Sequence, residues 1–225
     1  MNNHHNTPPV VYRDTIFPVK TAHFLLPGPA GQLEIRTETP TISVKNSLAV
    51  ICHPHPLMGG TMDNKVVYTI ARGFKDIGSP IIRFNFRGVG ASEGHYDHGK
   101  GELDDLITIL TWAQQVCPDH TIYLAGFSFG SFIAACAAQS WPIAHLILVA
   151  PPVERFNFQA LPLFNCPWSV IQGDQDEVVR PTAVFDWMDR LSPSGDLHCL
   201  PGAGHFFHGQ LITLRETLIG ILNRT

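Results

Sequence analysis

A serine between glycines at a strand-to-helix junction constrains this chain more than any other feature. Residues 121–125 read as a β-strand, and the small and apolar residues 131–138 read as a helix. Between them lies Gly126-Phe127-Ser128-Phe129-Gly130. So sharp a turn forces its apex residue towards positive φ, at a cost of about 1–3 kcal/mol for a residue other than glycine. Gly126 and Gly130 remove side chains that would collide where the strand and helix backbones meet. The Ser128 hydroxyl then stands clear of the sheet at a helix N-terminus, where the dipole favours developing negative charge.

Strand-like and helix-like segments alternate along most of the chain. Residues 23–26 and 33–37 read as a hairpin around a turn at 27–31. Buried strands are expected at 47–52, 80–86, 145–150 and 168–172, where apolar runs suit strands covered on both faces, and a last strand at 196–200. Helices are expected at 64–77, 102–116, 181–191 and 207–222. Such alternation predicts a largely parallel sheet with helices on both faces, whose ligands bind at the C-terminal strand ends. With 225 residues, 44% of them hydrophobic, the chain can fill one large core but not two. Residues 1–12 are expected to be a loose tail and 13–225 a single domain.

A serine hydroxyl is a poor nucleophile near neutral pH, so Ser128 needs a base and the base needs an orienting acid. Asp174, Asp176 and Glu177 follow the 168–172 strand and compete for the acid role. Asp176 is favoured because it stands clear of the strand end and precedes an apolar pair able to pin the loop. Asp174 or Asp176 can instead cap the helix that opens near Pro181. His205, in the glycine-rich Pro201-Gly202-Ala203-Gly204-His205-Phe206-Phe207, is the favoured base. His208 is the rival, set aside because it falls at the start of the final helix.

Acyl transfer also needs two N–H donors for a tetrahedral oxyanion. Phe129 N–H, at the helix start, supplies one. The second is expected from the loop after the 47–52 strand, His53-Pro54-His55-Pro56-Leu57-Met58-Gly59-Gly60. Proline has no N–H, which leaves His55 or Leu57, with His55 preferred. His53 and His55 also raise a metal reading, but no nearby set completes one except Asp63 at a stretch, so no metal is expected. His53 is read as packing or hydrogen-bonding beneath the site. The glycine-rich run 87–94 lacks the Lys-Ser/Thr ending of a phosphate loop and reads as a turn, with Arg87 tied to loop carbonyls or a carboxylate. Tyr96, Asp97 and His98 are placed at the pocket rim.

These pieces together resemble the α/β-hydrolase superfamily over nearly the full length. The matching segments are Gly126-Phe127-Ser128-Phe129-Gly130, Gly173-Asp174-Gln175-Asp176, Gly204-His205-Phe206 and Arg87-Gly88-Val89-Gly90-Ala91-Ser92. The 53–67 stretch is similar to a small, capless bacterial subgroup of serine hydrolases and esterases. The resemblance implies a mostly parallel sheet of about eight strands, with Ser128 as nucleophile, Asp176 as acid and His205 as base. The pair that many members write His-Gly reads His53-Pro54 here.

Residues 151–167 are too few for a multi-helix lid, so an open cleft is expected. Leu57, Phe127, Phe156 and Phe206 are its expected substrate-binding residues, with Phe158 also at the rim. The expected substrate is a small-molecule acyl ester of small to medium size. Thioesterase, peptidase and a non-catalytic binding protein are the alternatives. No cofactor is expected. A net charge of −4 without a basic stripe argues against nucleic acid. No apolar run reaches the roughly 18 residues that span a bilayer, and the polar first residues do not read as a secretory signal. Five scattered cysteines without a C-x-x-C pair suit a reducing compartment, and a cytoplasmic setting is expected.

Overall fold

The computed structural model describes residues 10–12, 16–41, 46–191 and 195–224. Within them the chain forms β1 (Val10–Val11), β2 (Ala22–Gly28), β3 (Gly31–Glu38), β4 (Ser47–Cys52), α1 (Lys65–Asp76), β5 (Ile81–Phe84) and α2 (Lys100–Val116). It continues as β6 (Thr121–Phe127), α3 (Phe129–Ala137), β7 (His145–Val149), β8 (Trp168–Gly173), α4 (Pro181–Asp189), β9 (Asp196–Leu200) and α5 (Leu211–Leu222). Among the described residues the strands form one sheet in the order β1-β2-β3-β5-β4-β6-β7-β8-β9. Eight of these strands have four or more residues, and β1 adds a two-residue edge. Every neighbouring pair from β5 to β9 is parallel, whereas β3 runs antiparallel to both β2 and β5.

The tail expected over 1–12 needs a correction. Val10 and Val11 pair with Phe24 and Leu25, and Tyr12 N–H donates to the Leu25 carbonyl. Residues 1–9 lie outside the described residues. The first hairpin is also tighter than expected, because β2 and β3 extend until only two residues separate them.

Strand alternation divides the core. Leu48, Val50 and Cys52 face the layer that holds Leu106 and Leu110 of α2, Ala134 of α3 and Val184 of α4. Ala49 and Ile51 face α1 and α5, through Val67, Ile70, Leu214 and Leu218. A strand between two helical layers has no solvent face, which is why its sequence is apolar throughout. The chain leaves β4 for β5 on one side and then crosses back to β6 on the other. Such a switch point opens a crevice beyond the C-terminal strand ends.

Two buried polar contacts hold the loops at that end. The Arg87 guanidinium grips the Asp105 carboxylate of α2 at 2.7 and 3.1 Å, and the Arg87 N–H donates to it at 2.9 Å. That is the carboxylate tie expected for the 87–94 turn. His53, just past β4, is 0% exposed. Its Nε2 accepts the Phe86 N–H at 3.0 Å, which leaves Nδ1–H to donate to the Pro54 carbonyl at 2.6 Å. Both ring nitrogens are thus committed, and the ring joins the ends of β4 and β5.

Burial pushes the His53 imidazole down to about 4, against a smaller upward pull from its bond to Pro54. Burial also lowers His145 to about 4. An unfolded chain takes up protons at these rings below about pH 6.5. The folded chain refuses them until about 4, so stability is full above this window and falls as pH drops through it. Each ring contributes a slope of up to about 1.4 kcal/mol per pH unit. A His53→Gln variant retains a hydrogen-bonding side chain but not the titration. Its unfolding free energy, measured in urea between about pH 7 and 5, should decline less steeply than that of the native chain, with His145 supplying the rest. An unchanged slope would count against a neutral, buried His53.

Candidate active site

At the end of β6 the backbone turns through Ser128 with φ 53° and ψ −120°. Ser128 N–H donates to the Val149 carbonyl at 2.9 Å, which ties the turn to the end of β7. The flanking glycines are required by close approach. A Cβ on Gly126 would lie 2.2 Å from the Gly130 carbonyl oxygen. One on Gly130 would lie 2.4 Å from the carbonyl oxygen of Cys52, at the end of β4. The second contact brings the N-terminus of α3 against the loop that follows β4.

Two further strand ends supply the partners of Ser128. His205, 2% exposed, places Nε2 at 3.1 Å from Ser128 Oγ and Nδ1 at 2.8 Å from Asp176 Oδ2. An ionised carboxylate only accepts, so Nδ1 carries the proton and Nε2 presents its lone pair to the hydroxyl. The Asp176 carboxylate is held from all sides. Oδ1 accepts the N–H groups of Val178 and Val179 at 2.8 and 2.7 Å, and Oδ2 accepts Gln172 Nε2 at 3.0 Å. Burial opposes its charge. The bonds from His205, Val179 and Val178 outweigh that cost and hold the carboxyl below its ordinary value.

All three acids expected to compete serve the same histidine loop. Asp174 Oδ1 accepts the Gly202 N–H at 2.6 Å, and Glu177 Oε2 accepts the His205 N–H at 3.1 Å. Neither Asp174 nor Asp176 caps the following helix, because Arg180 occupies that position without a side-chain cap bond. His208 also departs from expectation. It lies exposed in the turn before α5, since the helix begins only at Leu211. Its ring pairs with Phe206 and has no bond to Ser128.

The first N–H groups of a helix have no intrahelical acceptor. Phe129 N–H opens α3 and finds none among the described residues. In the loop after β4, Leu57 N–H is taken up by His55 Nδ1 at 3.2 Å. His55 N–H has no acceptor among the described residues, which separates the two donors left open by the sequence. The His55 ring is fixed between Tyr96 and Phe129, with centroids 4.8 and 5.1 Å away. Burial holds this imidazole below its ordinary value.

Ser128, Phe129, His55 and His205 share the wall of a cleft of about 650 Å³. Leu57, Phe156 and Phe206 line it as expected, and Met58, Arg155 and Val178 join them. Phe127 and Phe158 do not. The Phe127 ring is fully buried 5.0 Å from that of His205, so it supports the base from behind. Its place follows from strand period, since Tyr123, Ala125 and Phe127 share one face of β6. Phe158 is buried against Phe132 and Trp187. Gln172 went unnoticed in the sequence because nothing marks a strand glutamine as partner to an acid four residues later. Between β7 and β8 the chain forms only a three-residue turn of helix, Phe158–Ala160, and no lid covers the cleft among the described residues.

The comparisons with known proteins agree with this fold. The family model described as alpha/beta hydrolase fold matches residues 51–165. Uncharacterized protein RP471 of Rickettsia prowazekii (strain Madrid E) is 38% identical over 190 residues, which cover 80% of this chain and 79% of that protein. The crystal structure of XC6422 from Xanthomonas campestris, described as an a/b serine hydrolase without lid, is 41% identical with a TM-score of 0.90, covering 94% of this chain and 97% of that one. A structure described as an alpha-beta serine hydrolase homologue from Coxiella burnetii is 46% identical with a TM-score of 0.89, covering 92% and 99%. No helix among the described residues is long and apolar enough to cross a membrane. By sequence model and fold, the chain belongs to the α/β-hydrolase family, with similar structures described as serine hydrolases, one of them without lid.

Proposed function

We propose that this protein is a carboxylesterase that cleaves small to medium acyl esters through an acyl-enzyme on Ser128. The observation that carries the reading is the 3.1 Å approach of the His205 lone pair to the Ser128 hydroxyl, backed by the 2.8 Å bond to Asp176. Ser128 Oγ attacks the ester carbonyl carbon while His205 Nε2 takes its proton. Asp176 stabilises the imidazolium, and the N–H groups of His55 and Phe129 bind the oxyanion. The imidazolium then protonates the departing alcohol. Water, deprotonated by the same histidine, releases the acid and restores the serine.

The substrate class rests on the shape and chemistry of the cleft. Its wall is mostly apolar around the serine, and its mouth is open. Leu57 is 69% exposed and Met58 83% exposed at its edge, so a short or medium acyl chain meets apolar contacts without a tunnel to enclose a long one. Five free thiols are consistent with a reducing compartment.

Kinetics on 4-nitrophenyl esters of increasing acyl length, with a thioester and an aminoacyl amide of matched acyl group, test the reading. Turnover should peak at short or medium esters, and Ser128→Ala should lower kcat/KM at least about 10⁴-fold. Preference for the long-chain ester, the thioester or the amide would overturn the substrate assignment. Unaltered turnover in Ser128→Ala would overturn the nucleophile.

The oxyanion assignment has its own test. His55 has φ −53°, which proline can adopt, so His55→Pro removes the N–H with little change of backbone. His55→Ala removes the same ring and keeps the N–H. The proline variant should have a kcat about 10²–10³-fold below the alanine variant. Equal kcat values would exclude the His55 N–H as a donor.

A further inference from the structure

The cleft wall contains one permanently charged side chain, Arg155, and no carboxylate. Sequence neighbours do not neutralise it. Glu154, the adjacent residue, reaches away to Arg180 Nη2 at 2.5 Å. Arg155, like Arg72, Arg190 and Arg224, makes no ion pair among the described residues, but of these four it alone lines the cleft that holds Ser128.

The side chain is exposed and reaches the acid loop. Arg155 Nη2 donates to the Val178 carbonyl at 3.3 Å, and Val178 N–H is held by Asp176 Oδ1 at 2.8 Å. One donor of the five is thereby used, and the planar fork keeps the rest for another acceptor. The side chain also borders a second hollow of about 570 Å³, shared with Arg180, Arg190, Glu154 and Asp186. Arg155 therefore stands at the boundary between an apolar cleft and a polar, charged recess. Its charge is also felt by His55, which lines the same cleft. Burial is the first cause of the lowered His55 imidazole, and, against an upward pull from Glu102, the charge of Arg155 is a further one.

Unpaired arginine beside an apolar cleft is matched by a ligand with an apolar body and an anionic end. Building on the esterase reading, we infer that Arg155 selects acyl esters carrying an anionic oxygen group, carboxylate or phosphate, away from the reacting carbonyl. The apolar part of such a substrate lies against Leu57, Phe156 and Phe206, and its anionic end meets the guanidinium at the recess. The relevant substrates are thus hemiesters of dicarboxylic acids or esters with a phosphorylated end, in preference to neutral esters of equal length.

The test uses sets of 4-nitrophenyl esters of one acyl length, closed at the far end by a carboxamide, a carboxylate or a phosphonate. A second set carries the same groups on the leaving phenol. In one set the anionic member should exceed the carboxamide in kcat/KM by about tenfold or more. Carboxylate against phosphonate identifies which anion is read, and the two sets identify which side of the ester carries it. The ratio should collapse towards one in Arg155→Gln, survive in part in Arg155→Lys, and fall as salt rises from about 0.05 to 0.5 M. A structural role for Arg155 would lower both members together and leave the ratio unmoved.

A ratio near one in the native enzyme, or a ratio unchanged in Arg155→Gln, overturns the inference while the esterase reading stands. Failure of the native protein to cleave any member overturns the esterase reading and this inference with it.

Discussion

The site depends on close backbone approach at one turn. Ser128 can hold φ 53° because Gly126 and Gly130 let three backbone segments meet at distances that no Cβ permits. The same contact that places the hydroxyl also sets the α3 N-terminus against the end of β4. Phe129 and His55, whose N–H groups are uncommitted among the described residues, consequently line the same cleft as Ser128. Strain of about 1–3 kcal/mol at Ser128 is a local cost that the large apolar core on both faces of the sheet readily offsets.

Around that turn, polar groups are organised by mutual hydrogen bonding. The acid loop and the histidine loop exchange bonds through Asp174, Asp176 and Glu177, so neither loop needs regular structure to be fixed. Gln172 and two backbone N–H groups immobilise the Asp176 carboxylate before any substrate arrives. Such preorganisation spares the site much of the reorganisation that a solvated carboxylate and imidazole would undergo during proton transfer. His53 acts similarly below the loop that follows β4, where a neutral ring joins two strand ends.

Much of this was legible in the chain itself. The elements were readable because buried parallel strands leave uniform apolar runs, and helices leave a 3.6-residue stripe between capping signals. The order serine, acid, histidine was readable because each falls just after a strand, and parallel strands gather their ends on one edge. What escaped was set by contacts distant in sequence. Val10 and Val11 join the sheet only because the edge of β2 is open to them. Whether the His55 or the Leu57 N–H is left uncommitted turns on where the His55 ring points, a detail beyond residue type. Phe127 was assigned to the cleft although its strand period placed it on the inner face with Ala125. Arg155 gave no signal, because its significance comes from Glu154 turning to Arg180.

The central claim is that Ser128 is a nucleophile activated by His205. Mass-spectrometric mapping of the folded protein after brief exposure to a fluorophosphonate tests this most directly. One phosphonyl group per chain on Ser128, with labelling much slower in His205→Ala, is the predicted result. A folded protein that remains unlabelled, or one that carries the group on another residue, would contradict the account.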